Sequence, residues 1–94
     1  MILRWTAGAL ADLRSIENYQ KLHWPASRAA FEERLTAIER RIVEFPLGAP
    51  EVEQRPGVRM VAFHSFPYRL FYRVESDAID VLAIRHTSRR PQFD

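Results

Sequence analysis

The first half of the chain carries apolar residues at helical spacing. In the segment Ala7–His23 they recur every three or four positions, at Leu10, Leu13, Ile16, Tyr19 and Leu22. After a break at Trp24-Pro25, a second series steps by four, three, four and three positions: Phe31, Leu35, Ile38, Ile42 and Phe45. This spacing places apolar side chains on one face of a helix. We therefore predict two amphipathic helices that form a hairpin, with Pro25 in the first turn of the second helix.

In the second half the hydrophobic period changes to two. Residues 58–63, Tyr68–Val74 and residues 78–85 are rich in β-branched and aromatic side chains, which favours strands. Residues 47–57 contain proline and glycine and are predicted to be a loop, whereas Ile2–Trp5 is a short strand candidate. The predicted element order is β-α-α-β-β-β. It indicates a single α+β domain over residues 1–94, in which a helical hairpin packs on one face of a small antiparallel sheet.

The middle strand of this predicted sheet has two different faces. Tyr68, Leu70, Tyr72 and Val74 share one face, and Arg69, Phe71 and Arg73 share the other. Because the helical hairpin covers only one face, we expect the arginine face to be open. Arginines that alternate with an exposed aromatic ring suit contacts to backbone phosphates together with base stacking.

Charge and composition exclude several classes of protein. The sequence has 14 Lys and Arg against 12 Asp and Glu, and residues 55–73 contain four arginines and no acid. There is no cysteine, which excludes disulfides and thiol nucleophiles. The three histidines are far apart, and no metal or cofactor motif is present, so we expect neither metal nor cofactor. No apolar run is long enough for a membrane span, and the N-terminus is unlike a signal peptide, so we expect no membrane association and a cytoplasmic protein.

The residues alone leave two interpretations of the basic half open. A metal-independent ribonuclease needs proton-transfer groups and cations beside the developing charge on phosphorus. Arg59, Arg69 and Arg73 are candidate cations, and His64 or His86 is a candidate for proton transfer. The alternative is a solvated sheet face, with the two histidines at the ends of strands.

Several segments together resemble one family. The segment YRLFYRVE at residues 68–75, the segment IDVLAIRH at 79–86 and Arg89-Arg90-Pro91 resemble the C-terminal signature of RelE/ParE toxins. ALADL at residues 9–13, followed by Ile16 and Tyr19, is similar to the first helix of that family, and FPLG at 45–48 is similar to the end of its second helix. The resemblance implies the RelE/ParE-like fold and the toxin component of a bacterial type II toxin–antitoxin system.

The two branches of this family differ in activity. RelE-like members cleave messenger RNA on the ribosome, and Arg69 matches the arginine that they place at the scissile phosphate. The strand before it, residues 59–63, lacks the expected lysine, and Phe93 in the tail is a ring that cannot transfer a proton. The ending from His86 onwards is more similar to ParE-like members, which poison DNA gyrase. The resemblance therefore favours a growth inhibitor that acts on gyrase without catalysis. The alternatives are a ribosome-dependent mRNA endoribonuclease and a non-toxic module that binds nucleic acid or protein.

The family resemblance also implies partners and sites. We expect a cognate antitoxin, ParD-like or of another type II class, in a heterodimer or heterotetramer, with an acidic tail against the arginines. The expected target or nucleic-acid contacts are Arg69, Phe71, Arg73, Arg85, Arg89 and Arg90. The expected antitoxin contacts are Leu13, Ile16, Tyr19, Arg59 and Arg69. No catalytic residue is expected for a gyrase poison, whereas a ribonuclease would use Arg59, Arg69, Arg73 and His86.

Overall fold

Two helices and one five-stranded sheet make up the computed structural model, which describes residues 1–88. The strand order in the sheet is β1-β5-β4-β3-β2, so that β4 is the central strand. The elements are β1 (Ile2–Trp5), α1 (Ala7–His23), a 3-10 turn (Pro25–Ser27), α2 (Arg28–Glu44), β2 (Glu51–Val52), β3 (Arg55–Ala62), β4 (Tyr68–Val74) and β5 (Ala78–His86).

The predicted fold class and the arrangement of hairpin and sheet are confirmed, with three local differences. The segment predicted as a loop contains the short strand β2, and β3 begins at Arg55, within that segment. β1 pairs with β5 in parallel, whereas the other pairs are antiparallel, so the sheet is mixed. Pro25 lies in the 3-10 turn and α2 starts at Arg28. Because proline disfavours a helical conformation in the residue before it, the break between the helices falls at Trp24, whose φ is −140°.

The main core lies between the helices and one face of the sheet. Of the five residues predicted on its apolar face, α2 buries Phe31, Leu35, Ile38 and Ile42, whereas Phe45 follows the end of the helix and is exposed. The ring of Phe31 is stacked on that of Phe63, with centroids 5.2 Å apart. From β4, the side chains of Tyr68, Leu70 and Tyr72 join the same cluster. The alternation predicted for the central strand is therefore confirmed on its helix-facing side.

The predicted apolar face of α1 is only partly the buried one. Ala9, Ile16 and Gln20 are the buried residues of this helix, and Leu13 packs against the core from a half-buried position. Tyr19 is 46% exposed and Leu22 is 78% exposed. The buried stripe is thus rotated relative to the prediction, and part of the apolar surface of α1 faces solvent.

α1 protects the end of β5 that β1 does not reach. β1 pairs only with the Ala78 to Val81 part of β5. Beyond that point, the carboxylate of Asp12 accepts a hydrogen bond from the backbone N–H of Ile84, with 3.0 Å between Ile84 N and Asp12 Oδ2. The same oxygen is 2.6 Å from Nη1 of Arg85. A helix side chain therefore satisfies a backbone donor at the sheet edge.

The face of the sheet away from the helices has a small apolar cluster of its own. Val58, Phe71 and Ala83 are buried there, with Val52, Met60 and Leu82 packed against them. Phe71 is 0% exposed, so the prediction that its ring is available for base stacking is wrong. The two arginines on either side of Phe71 are half-buried rather than fully open. None of the helices within residues 1–88 has the length and apolarity needed to cross a membrane.

Candidate functional site

Two arginines of β4 form the candidate contact surface on the face away from the helices. Arg69 lies in register with Ala62 on β3 and Arg85 on β5. Its side chain forms no ion pair or hydrogen bond with any residue of the described range 1–88. Arg73 lies on the same face of β4, on the other side of Phe71 from Arg69. Its Nε is buried and has no hydrogen-bond partner within residues 1–88. We refer to Arg69 and Arg73 as the arginine face.

The acid nearest to Arg73 in register is already engaged. Asp80 lies opposite Arg73 on β5, and its Oδ1 is 2.7 Å from Nε of Arg4 on β1. The pKa of the Arg4 guanidinium is raised, chiefly by this hydrogen bond and then by the charge of Asp80. Asp80 therefore joins β5 to β1 through Arg4. Because Asp80 is paired with Arg4, the arginine face keeps its positive charge.

Arg59 lies on the opposite face of the sheet from Arg69 and Arg73. It is in register with Tyr72, which faces the helices. Its guanidinium donates to the carbonyl oxygens of Leu47 at 3.2 Å and Ala49 at 2.7 Å, and it contacts Glu51 at 3.3 Å. The side chain of Arg59 is only 18% exposed. Arg59 therefore does not lie beside Arg69 and Arg73, the other candidate cations of a ribonuclease, and it instead holds the segment between α2 and β2.

Arg85 and His86 lie at the end of β5. Arg85 is opposite Arg69 in the ladder, but its guanidinium is paired with Asp12 on α1. His86 is exposed, and its Nδ1 is 2.7 Å from the hydroxyl of Ser88. Its ring meets Tyr68 edge-on at 5.6 Å. Burial raises the pKa of the Tyr68 hydroxyl, so that this neighbour is protonated and neutral at physiological pH.

An open groove of about 570 Å³ runs between α1 and the end of β5; we call it the α1–β5 groove. Among the residues that line it are Asp12, Ile16, Tyr19, Trp24, Tyr68 and His86. Tyr19 meets Trp24 edge-on at 5.2 Å. Of the residues expected at an antitoxin contact, Tyr19 is exposed in this groove, Ile16 lies buried at its floor, and Leu13 packs on the core.

Sequence reasoning missed part of this surface. Trp24 entered only as the break between two helices, yet it is 56% exposed and lines the groove beside Tyr19. A large aromatic residue directly before proline was the available signal. Arg89 and Arg90, which were expected at the target contact, lie outside the described residues, as does Phe93.

The described residues contain no group of three or more His, Asp or Glu side chains placed to hold a metal ion. The three histidines lie in different parts of the structure: His23 is at the end of α1, His64 is in the turn after β3, and His86 is at the end of β5.

Comparison with known proteins places the chain in a family. Residues 3–91 match the family of ParE toxins of type II toxin–antitoxin systems, parDE. A comparison with curated proteins found no match. Among solved structures, a chain of the chromosomal ParDE system from P. aeruginosa is similar with a TM-score of 0.74 and 27% sequence identity. The similarity covers 92% of this chain and 95% of that one. Since the family match extends over nearly the whole sequence and the fold agrees with it, the chain belongs to the ParE toxins of type II toxin–antitoxin systems.

Proposed function

We propose that the protein inhibits growth by poisoning DNA gyrase in the cytoplasm, without catalysis of its own, and that a cognate antitoxin neutralises it. Family membership and the similarity to a ParDE system support a toxin of this branch. The observation that favours a binding protein over a ribonuclease is the placement of the arginines. Arg59 lies on one side of the sheet, and Arg69 and Arg73 lie on the other.

Metal-independent RNA cleavage needs cations and proton-transfer groups around a single phosphate. The guanidinium of Arg59 is occupied by two backbone carbonyls and Glu51, so it is not available to a phosphate. Arg85 is held by Asp12. Because Phe71 is buried, a base stacked on its ring is excluded as well. A ribonuclease would then have to use Arg69 and Arg73 with His86 as the group that moves a proton.

The arginine face is the proposed target contact. Arg69 has a guanidinium without a partner among the described residues, and Arg73 has a buried Nε that lacks a hydrogen bond. A guanidinium with free donors suits a bidentate contact with a carboxylate or phosphate. The buried cluster around Phe71 lies between the two arginines on this face, so that they are supported by a packed sheet.

The α1–β5 groove is the proposed antitoxin contact. Tyr19, Leu22 and Trp24 expose apolar surface at or beside this groove. Because a small protein gains stability by burying such residues, their exposure favours a surface that a partner covers. We expect an amphipathic segment of the antitoxin to cover this surface and to bring acidic side chains towards Arg69. An antitoxin that binds only the folded chain raises its stability.

Purified chain added to gyrase and to translating ribosomes tests the proposed target. The expected result is loss of DNA supercoiling with accumulation of cleaved DNA–gyrase complexes, while messenger RNA stays intact. The double variant R69A/R73A should lose most of this effect. R14A/R40A removes two exposed arginines, one on each helix, and serves as the charge-matched control. Cleavage of messenger RNA that is lost in R69A would instead establish the ribonuclease, and absence of both effects would establish a non-toxic binding module.

Thermal unfolding with and without the antitoxin encoded beside the gene tests the proposed antitoxin contact. The melting temperature should rise on addition of the antitoxin. This rise should shrink in Y19A/W24A and persist in V43A, a control that truncates an exposed apolar residue on α2. An equal rise in the two variants would place the antitoxin elsewhere on the molecule.

A further inference from the structure

A second groove of about 570 Å³ lies towards the opposite edge of the sheet, between α2 and the outer edge of β3. Arg34, Ile38 and Arg41 line it from α2, and Met60 and Ala62 line it from β3. His64 closes one end, with a left-handed φ of 59° that turns the chain out of the strand. We call this the β3-edge groove. Of the expected contact residues within the described range 1–88, none is among those that line it.

The titratable side chains that line the β3-edge groove are all basic. Arg34, Arg41 and His64 belong to the lining, whereas none of the Asp and Glu residues in the described range does. Neither arginine forms an ion pair with a residue of the described range 1–88. The apolar floor, which includes Ile38, lowers the local dielectric and strengthens the attraction of these cations for an anionic ligand. The groove is therefore matched in charge to an acidic partner.

The backbone of β3 offers a place for another strand along this groove. On the outer side of β3, the short strand β2 pairs only in the stretch from Arg55 to Arg59, and the N–H of Met60 donates to the carbonyl of Pro50 at 3.1 Å. Amide groups alternate along a strand, so the N–H of Ala62 also points away from β4. Within the described residues no strand follows β2 beside Ala62. The edge is thus open at its C-terminal end.

We propose that the β3-edge groove binds an extended acidic segment of the partner, which adds a short strand to β3 beside Ala62. Alternate side chains of such a segment would point to the α2 side, where carboxylates reach Arg34 and Arg41, and to the opposite side of the sheet, next to Met60 and Ala62. The proposal rests on the proposed function in one respect, since it assigns the segment to the antitoxin. A nucleic acid suits the groove less well, because His64 is the one ring in its lining on which a base could stack.

The test uses the full chain, labelled with ¹⁵N, and a blocked seven-residue peptide of alternating glutamate and valine as the probe. The amide of Ala62 should exchange more slowly with solvent when the peptide is bound. The variants R34Q and R41Q should each weaken binding roughly two- to fivefold, as expected for partly exposed ion pairs. R40Q removes the same charge from the neighbouring residue on α2 and should leave the affinity unchanged.

Two further probes make the result decisive. A62P removes the outward N–H without breaking a bond to β4, and should weaken the peptide up to about tenfold while the spectrum stays folded. A peptide with glutamine for glutamate should bind more weakly than the acidic one. Equal affinity of both peptides, shifts confined to the α1–β5 groove, or displacement of the peptide by a six-residue oligothymidylate from the same residues would overturn the proposal.

The gyrase assay separates this inference from the proposed function. A chain that poisons gyrase and is neutralised by its antitoxin, yet shows no response of Ala62 to the peptide or to the antitoxin, refutes the groove assignment alone. Peptide binding at Ala62 by a chain without effect on gyrase refutes the toxin mechanism and supports the acid-binding groove.

Discussion

The contacts of Arg59 lead to a specific prediction about stability. Its guanidinium bridges the carbonyls of Leu47 and Ala49 and contacts Glu51, while its stem lies along the sheet beside Tyr72. The change R59M keeps the length of the stem and removes all three contacts. If Arg59 has a structural role, the variant loses stability; if it acts on a ligand, the variant loses function while stability is retained.

The expected loss can be worked out from the individual contacts. A hydrogen bond from a charged donor contributes about 1.5–3 kcal/mol, and this value applies to the 2.7 Å bond to Ala49, which is partly buried. The bond to Leu47 is exposed, and Glu51 is about half exposed, so these two contacts together add roughly 0.5 kcal/mol. We therefore expect R59M to lower the free energy of unfolding by about 2–3.5 kcal/mol. In a domain of this size the melting temperature then falls by roughly 10–20 °C.

Urea denaturation followed by circular dichroism measures this loss. The midpoint should fall while the dependence of the unfolding free energy on urea concentration stays the same, because the surface exposed on unfolding is unchanged. R40M, on the exposed side of α2, should unfold like the wild type. If R59M is as stable as the wild type but no longer acts on gyrase, the structural role assigned to Arg59 is refuted.

Three further perturbations test the core and the sheet edge. Y72F removes a 2.7 Å hydrogen bond to the carbonyl of Pro46 and should cost about 1 kcal/mol in denaturant titrations. Burial raises the pKa of the Tyr72 hydroxyl, so the unfolded chain loses this proton at a lower pH than the folded chain does. The free energy of unfolding should therefore fall as the pH rises above about 10, and it should fall less steeply in Y72F. An equal pH dependence in Y72F and the wild type would contradict this role of Tyr72. F31A leaves a cavity in the centre of the core and should cost about 3–5 kcal/mol by calorimetry, whereas a loss below 1 kcal/mol would mean that the core collapses around it. D12A removes the acceptor of the Ile84 amide, so that hydrogen exchange at this amide should become roughly tenfold faster; an unchanged rate would show that α1 does not protect the edge.

Hydrophobic periodicity predicted α2 well because its stripe faces the sheet along the whole helix. For α1 the same rule was misleading. The core-facing positions are Ala9, Leu13, Ile16 and Gln20, and a small alanine and a polar glutamine carry no hydrophobic signal. The larger apolar residues beside this stripe, such as Leu22, are exposed. Periodicity identifies a helix and its apolar side chains, but the surface available to cover them depends on where the sheet lies.

The site shows a similar division between local and long-range information. Alternation along β4 correctly put Arg69 and Arg73 on the face away from the helices. It did not indicate that neighbours on β2, β3 and β5 would bury Phe71 between them, since β2 lies in a segment without strand character. The role of Arg59 depends on carbonyl groups about ten residues away, whose positions follow from the path of the loop. Neither contact can be derived from spacing in the sequence.

The parallel pairing of β1 with β5 has a consequence for synthesis of the protein. Ile2 is in register with Ala78, so β1 cannot complete its pairing until the later strand β5 has been synthesised. Contacts between such distant parts of a chain also slow folding, because a large loop must be ordered first. A nascent chain that ends before Ala78 lacks both the neighbour of β1 and one neighbour of β4. The arginine face therefore reaches its final form only after β5 has been synthesised.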